Sequence, residues 1–103
     1  METLAFLHLR RHHQGIYYYR THRNHQVDFY VPSQQLAIQV TQEMSDEETR
    51  QRELRSLVEF SEERDEEPSL HIITLADKES ISMDGVAIDV IPIYEWLLSS
   101  PSW

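Results

Sequence analysis

The chain contains no cysteine, so neither a disulfide nor a thiolate zinc site can form in it. No apolar run approaches the roughly 20 residues that a helix needs to cross a bilayer, and no signal-peptide pattern opens the sequence. The expected location is therefore cytoplasmic, with no membrane partner. A G-x-x-x-x-G-K-S/T loop is also missing, so ATP binding cannot be assigned to these residues. Glycine is scarce: there are two, Gly15 and Gly85, and both fall at breaks between apolar segments.

What is present suits one domain over residues 1–103, with 40% hydrophobic residues to build a core. The net charge of −9 is unevenly spread. Residues 1–27 carry Arg10, Arg11, Arg20 and Arg23 against Glu2, plus five of the six histidines. Residues 42–67 carry eleven acids against four arginines. A pI near 5.0 argues against strong nucleic-acid binding by this chain alone, because such affinity rests on neutralised phosphates. It leaves room for a local basic face near the N-terminus, or for a partner that supplies the positive surface. The chain also opens inside a helical pattern with no N-cap residue ahead of it, as expected of a fragment from the C-terminal end of a larger protein.

Leu4 and Leu7, with Phe6 and Leu9 less cleanly, predict an apolar stripe on a helix over residues 2–12 that Gly15 ends. Ile16–Arg20, Gln26–Val31 and Leu36–Thr41 read as three strands of an antiparallel meander joined by short polar turns. Ser45 and Glu48 match a capping box opening a helix over about residues 46–64, with Leu54, Leu57 and Val58 inward. Leu70–Leu75 is a near-continuous apolar run, as in a parallel strand buried on both faces. Asp84-Gly85 is a hairpin signal between two further strands, and Pro92 starts a short final helix.

Two strands carry a polar residue where an apolar one is expected: Asp28 in Gln26–Val31 and Gln39 in Leu36–Thr41. Each costs about 1–3 kcal/mol unless it finds partners. The α-βββ-α-β order with these residues resembles the PD-(D/E)XK nuclease superfamily. The chain is more specifically similar to the C-terminal domain of unknown function of prokaryotic AAA-type ATPases. The matching pieces are Glu2–His8-Leu9, Ile16–Arg20, Val27-Asp28-Phe29, Ile38-Gln39-Val40, Arg52-Glu53-Leu54 and Ile91–Leu98.

That resemblance implies a restriction-endonuclease-like α/β fold of three layers: a mixed sheet with flanking helices, then a C-terminal hairpin and helix. It implies the ATPase domain of a parent chain as partner, and DNA as a further one. It places Asp28, Gln39 and Glu2 as the metal-site residues, with magnesium as the ion. Two departures weigh against activity: Gln26 stands where that family has Glu, and Thr41 where a nuclease has lysine. The expected function is a non-catalytic accessory or interaction domain with a degenerate site, in which Asp28 and Gln39 satisfy each other or nearby backbone groups. The alternative is a magnesium-dependent DNA nuclease or DNA-binding domain.

Other groups favour plain readings. His8 and His12 share a helix face, but no zinc spacing is met, so a solvated basic surface is expected. Tyr17 and Tyr19 alternate with Tyr18, leaving no three-ring platform for bases. Arg50, Arg52, Glu53 and Arg55 suggest an exposed helix laced by local ion pairs. Trp96 and Trp103 are expected either to close the core or to dock on a partner.

Overall fold

The computed structural model describes residues 1–99. Its elements run α1 (Glu2–His12), β1 (Tyr17–Arg20), β2 (Gln26–Val31), β3 (Leu36–Val40), α2 (Glu47–Glu62), β4 (Ser69–Thr74), β5 (Glu79–Met83), β6 (Val86–Pro92) and α3 (Ile93–Leu98). A single 3₁₀ turn, Pro32–Gln34, joins β2 to β3, and Gln35 closes it in the left-handed region. The strands form one six-stranded sheet in the order β1-β2-β3-β4-β6-β5. The meander β1-β2-β3 is antiparallel, β3, β4 and β6 are parallel, and β5 returns antiparallel on β6. Asp84 and Gly85 both have positive φ, 52° and 78°, as a type I′ hairpin turn demands.

Each sheet face buries its own core. Leu54, Leu57, Val58 and Phe60 of α2 pack on Val27, Ala37, Leu70, Ile72, Ile88 and Val90. On the other face Ala5 and Leu9 of α1, with Ile93 and Trp96 of α3, cover Val31, Leu36, Ile38, Val40 and Ile73. Strand β4 contributes to both clusters, which explains its unbroken apolar run. The result is a three-layer α/β domain.

Several expectations shift by a residue or a face. The N-cap of α2 is Asp46, not Ser45: its carboxylate accepts from the Thr49 N–H at 3.0 Å and from the Thr49 hydroxyl at 2.8 Å. An Asp one position later fills the same role, so Glu48 has no box to complete. In α1 the stripe is rotated. Ala5, His8 and Leu9 are buried, whereas Leu4 and Leu7 are 47% and 54% exposed. A helix lying flat on a sheet buries only a narrow stripe, and small Ala5 allows the close approach. His8 and His13 are accordingly buried rather than solvated. Arg50 pairs with Glu79 on β5 instead of a neighbour on its own helix. Pro92 ends β6 opposite Thr74 and caps α3 from outside. Trp96 closes the core at 4.7 Å from the His8 ring, while Trp103 lies outside the described residues.

Candidate functional site

The register of β2 explains why Asp28 sits where it does. Tyr17 pairs with Tyr30 and Tyr19 with Val27, so three steps along β2 oppose two along β1. The extra residue is a β-bulge between Val27 and Tyr30, and both of those side chains consequently reach the α2-side core. The β2–β3 ladder stops at Phe29↔Ile38. Beyond it, side chains take over from the backbone. Asp28 Oδ2 accepts from the Val40 N–H at 2.9 Å. In return the Gln39 side-chain oxygen accepts from the Asp28 N–H at 2.8 Å, and its amide nitrogen donates to the Gln26 carbonyl at 2.8 Å. Asp28 Oδ1 receives a longer bond, 3.4 Å, from the Gln26 side chain.

This reciprocal crossing closes the gap that the bulge opens. Gln39 is 2% exposed and both ends of its amide are engaged by backbone. The two polar residues are thus satisfied as pieces of sheet.

Asp28 and Gln39 line a cavity of about 320 Å³ between the β1–β2 turn and α2, together with Arg20, His25, Arg52 and Glu53. Glu53, on α2, is largely buried here and not part of an exposed charged strip. Its side chain is 12% exposed, with Arg52 3.5 Å away. Burial, and then the negative charge of Asp28, push its carboxyl up to about 7. Burial also raises the Asp28 carboxyl above its usual range, and the Val40 N–H only partly opposes this. Two carboxyls that face each other across low dielectric resist simultaneous ionisation. A signal for Glu53 was available: it stands four residues before Leu57 and beside Leu54, on the margin of the inward stripe.

The same turn is fastened to α2 by a second pair of acids. Thr21 Oγ1 donates to Glu59 Oε1 at 2.8 Å, and His25 Nδ1 lies 2.7 Å from the same oxygen. A carboxylate can only accept, so Nδ1 carries the proton of this bond. One turn later Glu63 accepts from the Tyr19 hydroxyl at 2.6 Å and from the His22 N–H at 2.8 Å. Burial pushes both carboxyls up, but these hydrogen bonds outweigh it and hold them below the ordinary carboxylate range. The Arg64 guanidinium then lies over the Tyr19, Phe60 and Tyr30 rings at 4.9, 5.1 and 5.5 Å.

Glu2 is placed elsewhere. It lines a separate depression with Thr41 and Val40, although its charge still acts on Asp28 and Glu53. Thr41, where a lysine would be expected, donates its N–H to the Ile73 carbonyl at 3.0 Å and brings no charge.

Magnesium needs several oxygen ligands in near-octahedral array. Here the Gln39 oxygen and one Asp28 oxygen already hold backbone N–H groups. Among the described residues no group of three or more His, Cys, Asp or Glu side chains gathers in metal-holding geometry. The residues as arranged do not fit that ion.

Fold and site together define a three-layer α/β domain with one mixed sheet and a polar crossing between its second and third strands. Residues 1–96 match the family described as Domain of unknown function (DUF4143), and the chain belongs to it. No curated protein and no solved structure matches the chain. No helix among the described residues is long and apolar enough to cross a membrane.

Proposed function

We propose that this domain is a non-catalytic accessory or interaction module of a multi-domain AAA-type ATPase, built on a PD-(D/E)XK-like frame whose metal site has degenerated. One observation carries the reading: of the oxygens that would hold a metal, that of Gln39 and Oδ2 of Asp28 are engaged by the Asp28 and Val40 backbone N–H groups. The position of Thr41 and the removal of Glu2 to another depression support it. So does the order of elements, with α1 before three antiparallel strands and α2 before the central parallel strand. A fold of this kind does not by itself confer activity.

The alternative, a magnesium-dependent DNA nuclease or DNA-binding domain, draws on one observation: Glu53 brings a second carboxylate to Asp28. One assay separates the two. Purified protein is incubated with supercoiled plasmid and branched DNA in magnesium or manganese, beside Asp28→Ala. The expected result is no metal-dependent cleavage by either protein. Cleavage by the parent that Asp28→Ala abolishes would overturn the non-catalytic reading.

A further inference from the structure

Helix α1 buries Ala5, His8 and Leu9 against the sheet, with Phe6 beside Phe29 at its margin, and its other residues are exposed. Leu4, Leu7 and Arg11 follow at i, i+3 and i+7, so they form one ridge on that outer surface. With His12 and, from α3, Leu97, they line a groove of about 390 Å³. Leu4 and Leu7 are both exposed, so the groove has an apolar floor open to solvent.

The titratable side chains that line it, His8, Arg11 and His12, are all of basic type. Among the described residues neither Arg11 nor His12 makes an ion pair. The neighbouring His8 is held below its usual value first by burial and then by His12, Arg11 and His13. In a chain of net charge −9, this is a place where apolar surface and basic side chains coincide.

We infer that the α1 groove docks an acidic amphipathic helix of another protein, with apolar side chains seated against Leu4 and Leu7 and carboxylates against Arg11 and His12. The inference rests on the interaction-module reading and names the chemistry of what that module binds. A second copy of this chain does not supply that chemistry from its most acidic helix. The outward residues of α2, including Glu47, Glu48, Gln51, Arg52, Arg55 and Glu62, are all polar. The acids at 65–67 likewise stand without an exposed apolar neighbour. Helix-in-groove recognition needs both: apolar anchors for affinity and flanking charge for partner choice.

The test uses two fluorescein-labelled helical peptides of about 14 residues, four turns. Both carry leucines at i, i+3 and i+7, flanked by glutamates in one and by lysines in the other. Anisotropy titrations should show saturable binding of the glutamate peptide and none of the lysine peptide. The double variant Leu4→Ser, Leu7→Ser should weaken binding at least about tenfold. Its melting temperature should match the parent's, because both side chains are exposed. Arg11→Glu should weaken the glutamate peptide and create binding of the lysine peptide. Equal binding of the two peptides, indifference to the variants, or no saturation below roughly 1 mM would each overturn the inference. So would concentration-dependent dimerisation that the double leucine variant abolishes, since the occupant would then be a second copy. The plasmid assay reads Asp28 and the peptides read α1, so either reading can fail without the other.

Discussion

Replacing Gln39 with leucine is expected to lower the stability of the domain by about 2–4 kcal/mol, although the new side chain is apolar and of similar size. In most buried positions such a swap would be mild or even favourable. Here the Gln39 amide stands in for a strand: it accepts from the Asp28 N–H and donates to the Gln26 carbonyl. Leucine can do neither, and the bulge keeps the β3 backbone from reaching the two orphaned groups. Each unsatisfied buried group costs about 1–3 kcal/mol, and the added apolar burial recovers only part of that.

For a domain of this size the melting temperature should fall by on the order of 10–20 °C. Amide exchange at Asp28 should quicken far more than at Ile38, which keeps its ladder position. A leucine variant as stable as the parent would show that β2 and β3 can pair past Phe29 after all.

Glu53→Gln should act in the opposite direction, increasingly as pH rises from about 4.5 to 7. The folded-state carboxyl lies near 7 against 4.5 for the ordinary group, so the native state holds its proton more tightly than the unfolded chain does. Below about pH 4.5 both states are protonated and the parent carries no penalty. Between about pH 4.5 and 7 the unfolded chain releases this proton while the folded state still holds it, so stability falls with rising pH. The loss reaches about 3 kcal/mol by about pH 7 to 8 and is constant above that. The amide of glutamine never ionises.

Urea melts should therefore find the two proteins alike near pH 4.5, with the variant more stable by about 2–3 kcal/mol near pH 8.5. A constant difference between the proteins across this range would refute the assignment. Glu59 and Glu63 act with the reverse sign. Their folded-state values are depressed, so their contribution is present above the ordinary carboxylate value and fades as pH falls through the depressed one.

Much of the architecture was legible in the sequence, and the reasons are local. The apolar, strand-prone runs Gln26–Val31 and Leu36–Val40, the Asp84-Gly85 pair and the apolar run at 70–75 specify strands through short-range chemistry, and the strands lie there. What was not legible depended on phase. A bulge adds one residue without changing composition, so nothing in the letters around Asp28 announces that its carboxylate turns toward Val40. The phase of α1 was misread because Leu4 and Leu7 are stronger apolar signals than Ala5, whereas packing selected the small residue. Glu53 and Glu59 were hidden by type: acids on a highly charged helix look solvated until the β1–β2 turn is laid across them. Asp28 and Gln39 stood out as misplaced polar groups expected to meet each other or nearby backbone, as they do, but which main-chain atoms they reach is something no side-chain pattern encodes.

The central position of β4 constrains how the chain can assemble. It is the fourth strand in sequence, yet it lies between β3 and β6 and contributes to both cores. While the chain emerges from a ribosome, everything through α2 is made before β4 exists, so β3 waits with one bare hydrogen-bonding edge. The parallel register Leu36↔Ser69 through Val40↔Ile73 then closes over the whole of α2. Such non-local closure is slow, typically milliseconds or longer. The N-terminal α-βββ-α portion, cut after Glu67, should accordingly lack a cooperative thermal transition by circular dichroism and should associate through its open edge.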